Sequence, residues 1–341
     1  MSLSVGIVGL PNVGKSTLFN ALLKKQQAYV ANFPFATIEP NIGIVPVPDS
    51  RLEQLALTIN HQSSTMPPEV PATVEFVDIA GLIEGASKGE GLGNKFLNHI
   101  RQVDAICFVL RAFTDPDIIK QGVKDPKSDL EILKLELDLA DVDMISKHKE
   151  KKNPSADSGQ DLPLFKNKPF LVVLNVDERD LSKSDEIEDR YSKELGIDKN
   201  QVVAICAKVE AELAELSDNE QKEYLNSLGV EKSALDKLIQ KAFKTLGLIT
   251  FLTAGEKEVR AWTIRLGTTS LMASGVIHTD FMAKFIKADV VDFNDFIGGP
   301  ASPMTPSRGG WKACRELGKV RSEGRDYIMQ DGDVVEFKIG S

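Results

Sequence analysis

Apolar residues in this chain gather into short continuous runs: Leu3–Val8, Ile42–Val45, Thr73–Val77, Ala105–Leu110, Pro169–Leu174 and Gln201–Cys206. Unbroken apolar runs of this length belong to strands covered on both faces. Helical spacing separates most of them, which predicts an α/β fold with a largely parallel sheet between helices. Ligands of such sheets bind beyond the carboxyl ends of the strands.

Between Asp125 and Lys152 the pattern changes. Leu130, Leu133, Leu137, Ala140 and Met144 fall on one helical stripe with charges on the other faces. That spacing makes an amphipathic helix, either an ordinary covering helix or one half of a projecting arm. Lys151–Lys168 has the composition of a linker, and Glu210–Leu228 and Ser233–Leu246 are helical again. Past Gly255 the segments become short and β-rich: Val259–Leu266, Phe285–Val291, and Val334–Ile339 after an Asp331-Gly332-Asp333 turn. They predict a separate α+β module, with a Gly/Pro/Ser-rich loop at Gly298–Gly310. The expected division is 1–255, carrying a helical insertion at approximately 125–168, and 256–341.

The first run leads into Gly9-Leu10-Pro11-Asn12-Val13-Gly14-Lys15-Ser16, then Thr17–Lys24 reads as a helix. This is G-x-x-x-x-G-K-[ST] in its strand–loop–helix setting. Main-chain N–H groups from Asn12, Val13, Gly14, Lys15, Ser16 and Thr17 are expected to cradle a phosphate at the helix N-terminus. Lys15 is expected on the β/γ-phosphates and the Ser16 hydroxyl on Mg²⁺. Gly9 and Gly14 are expected to be glycines so that backbone and phosphate can approach.

Asp78-Ile79-Ala80-Gly81 follows the third run. Its carboxylate suits a Mg²⁺-bound water and the Gly81 N–H a γ-phosphate. Thr37 lies in the loop between these motifs, where a hydroxyl can complete the Mg²⁺ shell only when a γ-phosphate is present. Leu82 stands where small GTPases carry a water-orienting glutamine, so unassisted hydrolysis should be slow. The glycine-dense stretch from Glu84 to Gly93 suits a switch loop.

After the run Phe170–Leu174 stands Asn175-Val176-Asp177-Glu178. GTPases usually place Asn-Lys-x-Asp here, and the aspartate grips guanine through paired hydrogen bonds. Val176 replaces the lysine and Glu178 the aspartate, which favours ATP over GTP. Guanine read by Asp177 or Glu178 through a shifted loop remains the alternative. Cys206-Ala207-Lys208, after the last run, fits the other wall of a base pocket.

A net charge of −9 over 341 residues argues against a general polyanion binder. Three scattered cysteines and four histidines lack metal spacing, and Cys107 and Cys206 read as small buried hydrophobes. Met1 leads almost at once into the first strand, and no apolar run reaches spanning length; a cytoplasmic protein without membrane contact is expected.

These residues resemble the Obg-like ATPases, also called the YchF family, of the Obg-related P-loop GTPases. The resemblance rests on Gly6–Asn20, Asn32–Asn41, Phe76–Arg101, Asn175–Glu178, Phe251–Thr263, Gly275–Phe281 and Tyr327–Gly332. It implies a P-loop G-type domain with an inserted helical arm and a C-terminal TGS domain of β-grasp type. It also implies a slow ATPase, monomeric, that uses Mg²⁺ and associates with the ribosome or its RNA through the TGS domain and arm. Asn175, Val176 and Glu178 would surround the adenine.

Three features depart from the family. The second arm helix is largely replaced by Lys151–Lys168. Lys120 stands where a histidine is thought to assist hydrolysis, and can stabilise negative charge but is a poor base. Gly298–Gly310 differs from the usual TGS sequence. A true GTPase, or a ribosome-binding module whose nucleotide site is only structural, are the competing functions.

Overall fold

A computed structural model describes residues 3–32, 41–63, 65–79, 92–114, 125–151, 164–298 and 309–340. They form two compact units: Met1–Val45 with Val74–Leu246, and Pro46–Thr73 with Gly247–Ser341. The chain thus leaves the first unit at Pro46 and re-enters it at Val74, an excursion absent from the expected 1–255 and 256–341 division. The reason is non-local: the excursion's strand and helix pair and pack with strands that come after residue 247.

In chain order the first strands are β1 (Ser4–Gly9), β2 (Ile42–Pro46), β3 (Glu69–Val70), β4 (Thr73–Asp78), β5 (Ala105–Arg111), β6 (Phe170–Asn175) and β7 (Val202–Ile205). All but β3 form one sheet in the order β2-β4-β1-β5-β6-β7. The pairs β4–β1, β1–β5, β5–β6 and β6–β7 are parallel, as the unbroken apolar runs predict. The central strand β5 is buried from Ala105 to Leu110. Helices Lys15–Asn32, Ser184–Leu195, Ala207–Leu213 and Ala234–Thr245 belong to this unit.

Sequence chemistry sets the helix boundaries. Ser233 starts the Ala234–Thr245 helix by accepting the Leu235 N–H at 3.1 Å. The helical stretch expected at Glu210–Leu228 divides into Ala207–Leu213 and Asp218–Ser227. Ser217 restarts it: the Glu220 carboxylate takes both the Ser217 N–H, at 2.9 Å, and its hydroxyl, at 2.6 Å.

The amphipathic helix spans Pro126–Lys151 and buries Leu130, Leu133, Leu137 and Ala140, the expected stripe. Asp129, fully buried in its first turn, accepts from Arg111 Nε and Nη2 at 3.3 Å each, which ties the helix to the end of β5. Asp141 receives the Phe165 and Lys166 N–H groups at 3.0 and 3.1 Å, fixing where the chain returns.

The second unit holds β3 with β8 (Leu248–Ala254), β9 (Val259–Arg265), β10 (Phe285–Asp292), β11 (Arg321–Glu323) and β12 (Asp333–Ile339), in the order β11-β10-β12-β8-β9-β3. A parallel pair, β12–β8, is flanked by the antiparallel partners β10 and β9. The Ser270–Ile277 helix lies between β9 and β10 in the chain. This is a β-grasp arrangement. Its core packs Phe251 against Trp262 and Phe337, with ring centroids 6.2 and 5.8 Å apart.

Arg51, in the excursion helix Ser50–Ser63, is at the centre of a polar knot. It bonds Asp49 through Nε and Nη2 at 2.8 and 2.7 Å, Asp331 through Nη1 at 3.0 Å, and the Thr250 hydroxyl at 2.7 Å. His278 acts structurally, its Nδ1 accepting the Asp280 N–H at 3.1 Å to start a short helix.

Candidate nucleotide site

The phosphate loop lies at the carboxyl end of β1, immediately before the Lys15–Asn32 helix. Asn12 and Gly14 adopt left-handed φ values of 61° and 90°, separated by one residue. Such alternation turns successive N–H groups toward one concave side, where an anion is favoured. Ser16 and Thr17 are exposed at the open helix end, whereas Lys15 is buried. Its Nζ lies 2.5 Å from Asp78 Oδ1. Asp78 ends β4, in register with Ile7 of β1, so sheet pairing itself brings the two motifs together.

Gly14 requires a glycine for a reason the sequence did not reveal. A Cβ there would lie 2.2 Å from Asn175 Nδ2, and one on Gly9 would lie 2.8 Å from the Val109 carbonyl oxygen. The crowding comes from the protein itself, before any phosphate is considered. Asn175 is buried and bridges two loops: its Nδ2 donates to the Val13 carbonyl at 3.0 Å, and its Oδ1 accepts the Ala207 N–H at 3.0 Å. One side chain thereby fixes the phosphate loop relative to the loop after β7.

Beside this bridge opens a cleft of about 930 Å³. Gly14, Thr17, Asn175, Val176, Glu178, Cys206, Ala207 and Lys208 line it, so the expected base-side residues do converge. Val176 and Cys206 line it from the core cluster, where both are almost wholly buried. Burial also raises the Cys206 thiol pKa, so it stays protonated and inert. Glu178 and Lys208 are exposed at the rim, where Lys208 lies 3.9 Å from Glu212.

Phe113, Thr114 and Arg179 also line the cleft and were not expected. Phe113 and Thr114 follow the end of β5, so the strand-end rule pointed to them, though no motif did. Asp177 is occupied: its Oδ2 accepts from the Thr114 N–H at 3.1 Å and the Thr114 hydroxyl at 2.7 Å. Arg179 lies 3.4 Å from the same oxygen.

Thr37, Gly81 and Lys120 lie outside the described residues. Among the described residues no cluster of three or more His, Cys, Asp or Glu is arranged to hold a metal, and no helix is long and apolar enough to cross a membrane. The oxygen donors at hand are the Ser16 hydroxyl and the Asp78 carboxylate. They are hard ligands of the kind Mg²⁺ takes alongside waters and substrate phosphates, so the residues fit that ion.

A family model described as "50S ribosome-binding GTPase" matches residues 4–176, and YchF-GTPase_C, described as a protein of unknown function (DUF933), matches residues 248–340. The chain is similar to the protein named Ribosome-binding ATPase YchF of Bacillus subtilis (strain 168), 42% identical over 378 aligned positions covering 99% of each chain. It is also 42% identical to the protein of that name from Escherichia coli O157:H7, again with 99% of each covered. Among solved structures, the YchF GTPase of Schizosaccharomyces pombe superposes with a TM-score of 0.80 at 33% identity, covering 99% of this chain and 98% of that one.

Proposed function

The chain belongs to the YchF family, and on that premise we propose that it is a slow ATPase that acts as a nucleotide-dependent switch and associates with ribosomes in the cytoplasm. The observation that carries the reading is the Lys15–Asp78 pair beneath a loop whose Asn12 and Gly14 are left-handed. A triphosphate draws the Lys15 ammonium from Asp78 toward its β- and γ-oxygens while the loop N–H groups take the remaining phosphate charge. The Ser16 hydroxyl and, through a water, the Asp78 carboxylate released by Lys15 would hold Mg²⁺. The magnesium supplies charge neutralisation at the phosphates. Thr37, Gly81 and Lys120 complete this proposal from sequence: the first on the ion, the second on the γ-phosphate, the third on developing negative charge.

On the base side, Asp177 is spent on Thr114, leaving Glu178 as the exposed carboxylate of the motif. Its extra methylene displaces the fork that guanine requires, so adenine is preferred. The names carried by the bacterial relatives support ATP hydrolysis and ribosome binding. The GTPase description of the family model over residues 4–176 favours a second reading, GTP hydrolysis at the same site. Titrating fluorescent ATP and GTP analogues with Mg²⁺ decides between them: tighter ATP binding supports the proposal, and tighter GTP binding overturns it. Hydrolysis measured with and without ribosomes tests the switch, which predicts acceleration by the ribosome.

A further inference from the structure

The Pro126–Lys151 helix has two apolar faces. One is the buried stripe from Leu130 to Ala140. The other passes through Leu135, Leu139 and Val142, which remain 58%, 41% and 63% exposed. Ile132, half-buried, extends the same line toward the N-terminus. Steps of three, four and three residues trace the seam of a coiled coil, and helical geometry sets it opposite the buried stripe. A single exposed leucine is ordinary, but an aligned row on the solvent face of a helix marks a contact surface.

The margins of this row are acidic. Glu131 and Asp138 flank one side and Asp143 the other. From Glu131 to Asp143 the exposed carboxylates are Glu131, Asp138 and Asp143, since Glu136 and Asp141 are buried, and the one lysine, Lys134, lies over the Phe170 ring at 4.4 Å. A second copy of the chain would bring Asp138 and Asp143 against their own kind at the centre of the seam. Residues 152–163, which follow the helix, contain one large apolar side chain, Leu162.

We propose that this face docks an amphipathic helix of another protein, one with apolar residues at three- and four-residue spacing and lysine or arginine along its margins. The proposal is independent of the nucleotide reading. Fluorescence anisotropy on the full-length chain tests it with three labelled synthetic peptides: a leucine-seam helix flanked by lysines, the same composition scrambled, and the same seam flanked by glutamates. The lysine-flanked helix should bind at least about tenfold more tightly than the other two and weaken with added salt.

The Leu135→Ser/Leu139→Ser double variant should lose about tenfold of that affinity with its melting temperature unchanged. Equal binding of the scrambled peptide, or undiminished binding by the double variant, overturns the proposal. So does a dimer in analytical ultracentrifugation that the double variant dissolves, since a second copy would then be the occupant. A clear fall in the double variant's melting temperature also overturns it, because the row would then be covered by the chain's own residues.

Discussion

Two cations, Lys15 in the first unit and Arg51 in the second, are held differently. In the first, Lys15 has one carboxylate, Asp78, at the open end of a parallel sheet. In the second, Arg51 is held from several sides by Asp49, Asp331 and Thr250, and Thr250 in turn donates its N–H to Asp331 at 2.9 Å. A lone pair at a strand end can exchange its partner for a ligand. A network whose donors and acceptors are all matched has nothing to exchange and serves to hold the fold. The contrast teaches that a site is recognised by incomplete pairing in a polar cleft, more than by charge as such.

Replacing the exchangeable lysine sharpens this contrast most. Lys15→Ala should lower nucleotide affinity by about a hundredfold or more, read by isothermal titration calorimetry, with little change in melting temperature. Asn175→Ala strands the Val13 carbonyl and the Ala207 N–H. It should cost about 2–3 kcal/mol in denaturant unfolding and weaken both phosphate and base binding. Arg51→Ala is the counterpart, expected to cost about 2 kcal/mol of stability while leaving nucleotide affinity unchanged. A loss of nucleotide binding in that variant would instead put Arg51 among the groups that serve the site.

A finer test is Glu178→Asp, which should move the ATP-to-GTP affinity ratio about fivefold toward GTP, an effect of about 1 kcal/mol. The smallest effect is one of pH. Burial raises the Glu210 pKa against the opposing hydrogen bonds from Ser233 and the Ala234 and Leu235 N–H groups. The folded state then holds the proton to higher pH than the unfolded chain does. This group's contribution to stability is present below its ordinary pKa of 4.5 and is lost as pH rises through the folded value. Urea midpoints across weakly acid pH should show that slope in the parent and lose it in Glu210→Gln.

Much of the first unit was legible because its strands are buried on both faces: Ala105–Leu110 was expected and Ala105–Arg111 is the strand. The phosphate loop was legible because close packing demands its residue types. What escaped depends on contacts far apart in sequence. β3 has two residues and exists through pairing with β9 across Glu69–Val259. β8 follows the Ala234–Thr245 helix so closely, after Gly247 at φ 67°, that the apolar pattern runs on without a visible break. The Thr114–Asp177 lock joins two loops that no spacing rule connects.

The excursion from Pro46 to Thr73 bears on how the protein is made. A chain growing from its N-terminus produces Leu52, Leu55, Ala56 and Ile59 long before β8 and β9 exist to receive them. The unit that encloses the phosphate loop is complete at Leu246, yet a product released there would trail a greasy helix with nowhere to go. Vectorial synthesis therefore leaves this segment waiting for the last quarter of the polypeptide, and shortening the protein from its C-terminus would produce a sticky nascent species, prone to aggregation, in place of a tidy smaller enzyme.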